Sequence, residues 1–404
     1  MKRILLSLAA AIACLCTACQ KPQDWVTTWA TALQVAEPHN RPPEPGLAGN
    51  SFRQIIQVSI GGTELRLHLS NIFNETETEI LGVEIARAAS MGASPDIIAG
   101  TEVPLTFGGQ RAVTMAPGGE AVSDPVRFEL AERENLAITI HYGSVSDSPL
   151  TSHPGSRTSS YIAEGNTSDF SAPAAKTDHW YTISSLDVRP LRPAAAIAVL
   201  GDSITDGRGT TTNGQDRWTD QLSRSLLQDP RTRDLSVLNF GLGGNCVLQG
   251  GLGPTGRSRY ERDLFGPCGV KYIILFEGTN DLGSSHDGLA TAEEIKAVYR
   301  DIIREAHARG IIVFGATVTS AKGSFYDREG TGEHGKGREA LNTWIRESGE
   351  FDGVIDFDRI TAGPDDPTRI NPAFLFENDW LHLNADGYRQ MGTSIDRSLF
   401  TSRR

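Results

Sequence analysis

Five short apolar runs alternate with helix-forming segments over the second half of the chain, and this alternation constrains the fold most strongly. The first run, AIAVL at 196–200, is apolar without interruption, as in a strand whose two faces are both covered. Strands joined by crossover helices form a parallel sheet. The pattern therefore predicts a doubly wound α/β fold. The other four runs are SVLNF at 236–240, KYIILF at 271–276, IIVFGATV at 311–318 and GVIDF at 353–357.

Two of the crossover segments carry helix-end signals. Apolar residues recur at helical spacing after Thr291, where Thr291 and Glu294 form a capping-box pattern and Gly310 is a typical C-terminal stop. We expect one helix between these signals and a last helix after Asn384. In such sheets ligands bind beyond the carboxyl ends of the strands, so functional side chains are expected there.

The first half of the chain has a different sequence pattern, with short runs in which apolar and polar residues alternate. Leu65, Leu67 and Leu69 alternate with polar residues, which predicts a half-buried strand. The Gly-Gly pair at 61–62 predicts a hairpin between this strand and the run before it. Because no long segment of helical periodicity interrupts these runs, they predict an antiparallel β-sandwich of jelly-roll type.

The two sequence patterns and the N-terminal segment divide the chain into three units. The Pro-rich stretch RPLRPAAA at 189–196 separates the β-rich half from the α/β half. The N-terminal MKRILLSLAAAIACLCTACQK has two basic residues and then an apolar run, which is typical of a signal peptide rather than a spanning helix. We expect a signal peptide at 1–19, an accessory β-sandwich domain at 20–190 and an α/β domain at 191–404.

Cysteine usage agrees with export. The ending CTAC resembles a bacterial lipobox, in which Cys19 would be lipidated and would anchor the protein to a membrane. Ordinary cleavage and release is the alternative, and either route predicts a periplasmic, extracellular or lipid-anchored protein. In an oxidising compartment Cys246 and Cys268 are a candidate disulfide, with two free thiols as the alternative.

Charge and motif content narrow the function classes. The formal net charge of -12 argues against a nucleic-acid partner, because an acidic chain repels a phosphate backbone. No histidine or cysteine has the spacing of a metal site, so neither a metal nor a cofactor is expected. Asp206 and Asp281 are interpreted as loop organisers rather than as catalytic acids.

The predicted strand ends carry the side chains that acyl transfer needs. Ser203 follows the first strand, Gly244 the second and Asn280 the third, and after the fifth come Asp379 and His382. A serine hydroxyl needs a base to take its proton, an imidazole titrates near neutral pH, and a carboxylate fixes the imidazole tautomer. Backbone N–H groups and a side-chain amide suit a developing oxyanion. We therefore expect these residues to lie together.

Four short motifs in the second half resemble the signature blocks of a known family. GDSITDG at 201–207, NFGLGGN at 239–245, GTND at 278–281 and DWLH at 379–382 resemble, in order, those of the SGNH hydrolases, the GDSL-like esterase family. The resemblance spans about residues 196–400 and implies a flavodoxin-like, three-layer α/β/α fold. The N-terminal WVTTWATA and the alternating runs after it resemble the extension of a two-domain branch of that family.

The resemblance also implies roles for individual residues. Ser203 would be the nucleophile, and Asp379 and His382 would complete a catalytic triad. The N–H groups of Ser203 and Gly244 and the amide of Asn280 would form the oxyanion hole. The implied activity is a serine carboxylester hydrolase that acts through an acyl-enzyme.

Each assignment has a structural alternative. Ser203 could cap the helix that follows it, His382 could be an ordinary loop histidine, and Gly241 or Gly243 could take the place of Gly244 in the second block. The expected substrate is a small ester or an acylated polysaccharide with short acyl groups, and lipid or aryl esters are the alternative. A glycan-binding surface protein, with the β-domain as the working part, is the competing function.

Overall fold

The computed structural model describes residues 25–328 and 332–401. The predicted signal peptide at 1–19 and Cys19 therefore lie outside the described residues. The N-terminal part is built from strands: β1 (Val26–Ala30), β2 (Gln34–Val35), β3 (Ser51–Gln57), β4 (Gly62–Ser70), β5 (Thr78–Arg87), β6 (Val103–Leu105), β7 (Val113–Met115), β8 (Glu120–Val122), β9 (Val126–Leu130), β10 (Asn135–Tyr142), β11 (Thr151–His153), β12 (Ser160–Ala163), β13 (Ala175–Thr177), β14 (Trp180–Tyr181) and β15 (Ile183–Arg189).

These strands form antiparallel sheets, as predicted. One sheet has the order β1-β15-β4-β8, with β9 also paired to β4, and a larger one has the order β13-β12-β3-β10-β5-β6, with β7 paired to β5. A short third sheet has the order β14-β11-β2. Leu65, Leu67 and Leu69 of β4 are all buried and share one core with Ile138 and Ile140 of β10. Period-two alternation thus places the apolar faces of the two large sheets against each other.

The hairpin predicted at 61–62 is wrong. Strands β3 and β4 lie in different sheets, and the chain crosses from one sheet to the other at this Gly-Gly pair. The glycines serve close backbone packing: a Cβ on Gly61 would lie 2.1 Å from Leu130 O, and one on Gly62 would lie 2.5 Å from Arg189 O. A Gly-Gly pair meets both needs, a tight turn and a close approach, so sequence alone does not distinguish them.

The second half of the chain is a parallel sheet flanked by helices. Its strand order is β17-β16-β18-β19-β20, which is the 2-1-3-4-5 order of flavodoxin-like folds, so the predicted fold class is confirmed. The strands are β16 (Ala195–Gly201), β17 (Leu235–Gly241), β18 (Val270–Phe276), β19 (Ile312–Ala316) and β20 (Gly353–Ile355). The helices are α1 (Ser203–Asp206), α2 (Trp218–Leu227), α3 (Gly256–Tyr260), α4 (Thr279–Gly283), α5 (Gly288–Ala308), α6 (Glu333–Glu347), α7 (Phe357–Ile360) and α8 (Ala385–Thr393).

Two helix-end predictions are confirmed and one is wrong. Asn384 caps α8, its side chain accepting from Gly387 N, and Gly310 follows α5 with a left-handed φ of 71°. The capping box at Thr291 is not the start of α5. Asp287 caps that helix by accepting a hydrogen bond from Ala290 N, which places Thr291 inside the first turn. A carboxylate four positions upstream of the expected N-cap was thus the stronger signal.

The β-rich half packs against β17, the edge strand of the parallel sheet. Ser59 Oγ donates to Val237 O at 3.1 Å, and Ser236 Oγ donates to Thr27 O at 2.6 Å. Thr31 forms a parallel bridge to Asn239. The two halves therefore share backbone hydrogen bonds along a sheet edge instead of meeting only through side chains.

The candidate disulfide is contradicted, because Cys246 and Cys268 are both free. Cys268 Sγ lies 3.3 Å from Arg66 Nη2, at the contact with the β-rich half. Cys246 is buried near Gly251, in the loop that follows Gly244. Burial raises the pKa of the Cys246 thiol to about 12. Across the described ranges, no helix is long and apolar enough to span a membrane.

Candidate active site

Ser203 begins the one-turn helix α1 directly after the first parallel strand. Asp202 caps this helix by accepting a hydrogen bond from Ile204 N at 2.9 Å. The turn is tight, because a Cβ on Gly201 would lie 2.2 Å from Thr205 Oγ1. The cap is therefore Asp202 rather than Ser203, which leaves the serine hydroxyl available for another partner.

That partner is His382. Ser203 Oγ lies 2.9 Å from His382 Nε2, and His382 Nδ1 lies 2.6 Å from Asp379 Oδ2. The Asp379 carboxylate accepts a hydrogen bond from His382 Nδ1–H, so the unprotonated Nε2 is the nitrogen that can take the serine proton. The three side chains form one hydrogen-bonded chain across 179 residues of sequence, in the order that nucleophilic catalysis requires.

The electrostatics of Asp379 suit an orienting carboxylate. Partial burial raises its pKa, but hydrogen bonds from the His382 ring and from the backbone N–H groups of His382 and Leu381 outweigh burial, so the pKa lies below its usual range. The carboxylate therefore stays ionised where an imidazole titrates. It can stabilise the imidazolium that forms when His382 takes the serine proton.

Left-handed backbone on both sides of Asp379 shapes this loop. Glu377, Asn378 and Trp380 have φ values of 50°, 55° and 58°, and Phe376 N donates to His382 O at 3.0 Å. Non-glycine residues adopt this conformation at an energetic cost that clusters at functional sites. Here the strained turn folds the carboxylate back onto a histidine only three residues later.

Gly244 lies in the loop after β17, also with left-handed backbone. Its φ is 65°, and a Cβ would lie 3.2 Å from the side chain of Leu252, which is 50% exposed. Gly241, an alternative in the second block, instead ends β17, where a Cβ would lie 2.2 Å from Asp206 N. Packing against α1 thus accounts for Gly241, while the backbone of Gly244 is free of that constraint.

Asn280 is held at both ends of its amide. Its Nδ2 donates to Asn245 O at 2.8 Å, and its Oδ1 accepts from Tyr326 Oη at 2.9 Å. These partners fix which end of the amide donates, and the second N–H of Nδ2 remains for a substrate. Tyr326 was not predicted from the sequence, because it lies in a loop without a motif.

A buried arginine ties the strand ends together beneath this site. Arg259 donates from Nη2 to Gly201 O at 3.0 Å and to Asn245 Oδ1 at 2.9 Å. It also donates from Nη1 to Phe240 O at 2.7 Å and pairs with Asp263. One fully buried side chain therefore joins the ends of β16 and β17 to the loop that holds Gly244 and Asn245.

Three carboxyl groups are buried close to one another in this region, and burial is the main cause of their raised pKa values. The pKa of Asp202 rises to about 7, that of Asp281 to about 6 and that of Glu277 to about 8. Arg259 lies 3.7 Å from Glu277 and lowers that pKa, but less than burial raises it. Below pH 8 this region is therefore less negative than its residue types suggest.

Asp281 organises a loop, as expected, whereas Asp206 lies at the end of α1. Asp281 accepts hydrogen bonds from Val247 N at 2.8 Å and Leu248 N at 2.9 Å. Asp206 instead pairs across the two halves of the chain, with His153 Nε2 at 3.0 Å. Within the described part of the chain, no group of three or more His, Cys, Asp or Glu residues could hold a metal ion.

The family comparison coincides with this geometry. The model of the family described as GDSL-like lipase/acylhydrolase matches residues 199–390. This segment is a GDSL-like acylhydrolase domain. It runs from the end of β16 into α8 and so contains every residue of the candidate site. The family predicted from the four motifs is confirmed, and the protein is a carboxylic ester hydrolase.

Similar solved structures each cover about half of the chain. A GDSL-like lipase from Bacteroides thetaiotaomicron VPI-5482 is 17% identical, with 51% of this chain and 87% of that chain covered and a TM-score of 0.37. A carbohydrate acetylesterase from Sinorhizobium meliloti is 15% identical, with 50% and 95% covered and a TM-score of 0.38. An inhibitor-bound aryl esterase from M. smegmatis is 16% identical, with 50% and 96% covered and a TM-score of 0.39. Comparison with the curated proteins gives no match. Likenesses at this level carry no conclusion about substrate.

Proposed function

We propose that the protein is an exported serine esterase that removes short acyl groups through an acyl-enzyme formed on Ser203. The observation that carries this proposal is the continuous hydrogen-bonded chain from Ser203 Oγ through the His382 ring to Asp379. The acylhydrolase family supplies the reaction class. The geometry supports the role of each side chain within it.

The reaction runs in two halves. Ser203 Oγ attacks the ester carbonyl carbon while its proton passes to His382 Nε2, and the C=O bond becomes a C–O⁻ oxyanion. When the oxyanion collapses, the ester C–O bond breaks and His382 returns the proton to the departing alcohol. Water then attacks the acyl-enzyme with His382 as base, the carboxylic acid leaves, and Ser203 regains its proton.

The oxyanion would be bound by the N–H groups of Ser203 and Gly244 and by Asn280 Nδ2. Ser203 N lies at the N-terminus of α1, where the helix dipole favours negative charge. Asn280 enters with its amide orientation already fixed by Tyr326. Donors that need no reorientation during the reaction stabilise the transition state most effectively.

Low exposure at the site favours small acyl groups. Ser203 and Asn280 are each 5% exposed, and His382 is 8% exposed, so little of the catalytic surface is open to solvent. The Leu252 side chain packs over Gly244 and narrows the oxyanion side. An acetyl group fits such a space more readily than a long acyl chain.

The rim supports a sugar as the alcohol half of the substrate. Phe325 is 70% exposed, and its ring centroid lies 4.2 Å from that of Tyr326, whose hydroxyl contacts Asn280. An exposed aromatic face beside a hydrolytic site can pack on the apolar face of a pyranose ring. We therefore propose acetylated polysaccharide as the substrate class.

Export remains part of the proposal on sequence grounds. The signal-peptide pattern at 1–19 and the lipobox-like CTAC ending at Cys19 support it. A division into a β-domain at 20–190 and a catalytic domain at 191–404 is supported by the end of β15 at Arg189 and the start of β16 at Ala195.

Hydrolysis of p-nitrophenyl esters from acetate to octanoate, followed by acetate release from acetylated xylan, tests the proposal. We expect the highest kcat/KM with acetate, release from the polymer, and loss of both in Ser203→Ala. Ser223→Ala is the matched control, because the Ser223 hydroxyl is also buried but has no hydrogen-bond partner among the described residues. Activity that peaks at octanoate, or that survives in Ser203→Ala, would overturn the proposal.

A further inference from the structure

A loop of the β-domain lies directly on the helix that carries the nucleophile. The loop joins β11, which ends at His153, to β12 and contains residues 154–159. His153 and this loop contact Asp206, which is buried three residues after Ser203. His153 Nε2 lies 3.0 Å from Asp206 Oδ1, and Arg157 Nη2 lies 3.4 Å from Asp206 Oδ2. A Cβ on Gly155 would lie 1.9 Å from Asp206 Oδ2, so the loop backbone also touches the carboxylate.

His153 faces an acceptor at each ring nitrogen. Its Nδ1 lies 2.8 Å from Ala32 O, and a carbonyl can only accept, so Nδ1 carries a proton. Its Nε2 faces the Asp206 carboxylate. The ring stacks on Trp180 with centroids 5.6 Å apart, which holds the imidazole in place. His153 is buried, so this pair is shielded from solvent.

Residues 213–217 of the acylhydrolase domain also form hydrogen bonds to this loop. Asn213 N donates to Arg157 O at 2.9 Å, and Gln215 Nε2 donates to Thr158 Oγ1 at 2.8 Å. Arg217 donates to Ser156 O and, through Nε at 3.0 Å, to Asp206 O. Arg157, Asn213 and Gln215 have left-handed φ values of 50°, 64° and 48°. Strain at three non-glycine positions on both sides of one contact is typical of a functional constraint.

Asp206 links this contact to the catalytic groups through the backbone of α1. Its N–H donates to Asp202 O at 2.8 Å, and Gly207 N donates to Ser203 O at 2.9 Å, which closes the single turn of α1 around the serine. A Cβ on Gly243 would lie 3.7 Å from Asp206 Oδ2, so the carboxylate also borders the loop of Gly244. Asp206 thus lies between the β-domain on one side and, on the other, the nucleophile turn and the loop that contains Gly244.

His153 and Arg157 offset the cost of burying the Asp206 carboxylate. Burial alone raises the pKa of this carboxyl, but the hydrogen bond and charge of His153, with the charges of Arg157 and Arg217, outweigh burial and bring the pKa below its usual value. Without the two β-domain residues a buried, ionised carboxylate would keep only Arg217 nearby. Such a group relaxes by taking up a proton or by turning towards solvent, and either change weakens the contact between the β-domain loop and α1.

We propose that His153 and Arg157 of the β-domain are positioning residues for the esterase site, which hold Asp206 and thereby fix the nucleophile turn. The β-domain is then a working part of the catalytic unit rather than a separate binding module. This inference rests on the proposed role of Ser203, and its test separates the two.

The test uses the full chain with His153→Gln, Asp206→Asn and the double variant. Readouts are kcat and KM on p-nitrophenyl acetate, and the rate at which a p-nitrophenyl phosphonate labels Ser203, all well below the thermal midpoint. We expect kcat and the labelling rate to fall 10- to 100-fold in each single variant, with KM within about twofold. The double variant should lose no more than Asp206→Asn alone, because both changes break one contact.

Two control sets exclude a general loss of stability. His141→Gln removes another buried β-domain histidine, one bonded to Ser51 in β3, and should leave kcat unchanged at an equal loss of thermal midpoint. Arg157 is partly exposed, so Arg157→Gln should fold even if His153→Gln does not, and Arg157→Lys should retain more activity than Arg157→Gln.

The outcomes are distinct. Wild-type kcat in folded His153→Gln and Arg157→Gln would overturn this inference and leave the proposed function intact. Equal losses in His153→Gln and His141→Gln would also overturn it, since they would show only a stability effect. Failure of the phosphonate to label Ser203 in the wild type would overturn the proposed function and this inference together.

Discussion

Tyr326 Oη donates a hydrogen bond of 2.9 Å to Asn280 Oδ1, and this contact decides which way the Asn280 amide faces. Oδ1 is occupied, so Nδ2 must supply the donors, one of which goes to Asn245 O. The ring of Tyr326 is also confined, because a Cβ on Gly283 would lie 2.3 Å from it. The proposed oxyanion donor is therefore oriented before substrate arrives.

Removing the amide and removing only its orientation should have different effects. We expect Asn280→Ala to lower kcat by about 10²–10³, the usual effect of losing one oxyanion donor. Tyr326→Phe keeps the amide but frees it to turn, so a smaller loss of roughly tenfold is expected, with KM little changed. Steady-state kinetics on p-nitrophenyl acetate measure both. Tyr260→Phe, which removes a tyrosine hydroxyl bonded to Glu305 instead, should match the wild type. Equal activity in Tyr326→Phe and wild type would contradict the positioning role.

Asp379→Asn should inactivate the enzyme without unfolding it. An amide can present a donor to His382 Nδ1 and so favour the wrong tautomer, and the expected fall in kcat is on the order of 10³–10⁴. Circular dichroism and kcat on one preparation check this. Asp386→Asn is the matched control, because the Asp386 side chain is 69% exposed on α8 and its pairing with Arg389 is a surface one. A fall of less than tenfold in Asp379→Asn would show that another group orients His382.

Glu277 should make stability decline as pH rises. Its folded pKa of about 8 lies above the ordinary value of 4.5, so folding takes up a proton between these values. The contribution to the free energy of unfolding is complete below about pH 4.5 and is lost as pH rises through 8, at a slope of at most about 1.4 kcal/mol per pH unit. Urea unfolding at pH 5, 6, 7 and 8 should give a flatter profile for Glu277→Gln than for the wild type. Glu347 is exposed, so Glu347→Gln should leave the dependence of stability on pH unchanged. If the stability of Glu277→Gln and of the wild type changed with pH in parallel, the raised pKa of Glu277 would be refuted.

The two cysteines of the folded part should respond to alkylation but not to reduction. Because Cys246 and Cys268 are both free, dithiothreitol should leave the thermal midpoint unchanged. Protein lacking residues 1–19 should take up two equivalents of iodoacetamide after unfolding without reductant. Cys246 should react slowly in the folded state, since burial holds its thiol protonated. A drop in thermal midpoint on reduction would show that a disulfide forms after all.

The candidate site was largely predictable because its residues follow strands. Apolar runs located the strand ends, and Ser203 and Asn280 each stand in a short motif just beyond one of them, while His382 stands in a motif after the last strand and a loop. The supporting residues Tyr326 and Arg259 were not predictable, since they reach the site from a loop and a short helix through tertiary contacts alone.

Helix α6 shows the same limit for secondary structure. Its sequence includes glycines that argue against a helix, and no helix was predicted there. The structure explains Gly337, because a Cβ would lie 2.4 Å from Gly288 O, where α6 packs against the start of α5. Packing between helices selected a residue that local propensity disfavours. No sequence pattern predicts the contact of His153 with Asp206, since this contact joins two halves of the chain that have different periodicities.

Labelling with a serine-directed phosphonate tests the central claim most directly. The account predicts a single adduct on Ser203 in the wild type, found by peptide mass spectrometry and absent from Ser203→Ala. In a crystal structure of that adduct, the phosphoryl oxygen should lie within hydrogen-bond distance of Gly244 N and Asn280 Nδ2. An adduct on any other residue, or a phosphoryl oxygen that faces away from these two donors, would contradict it.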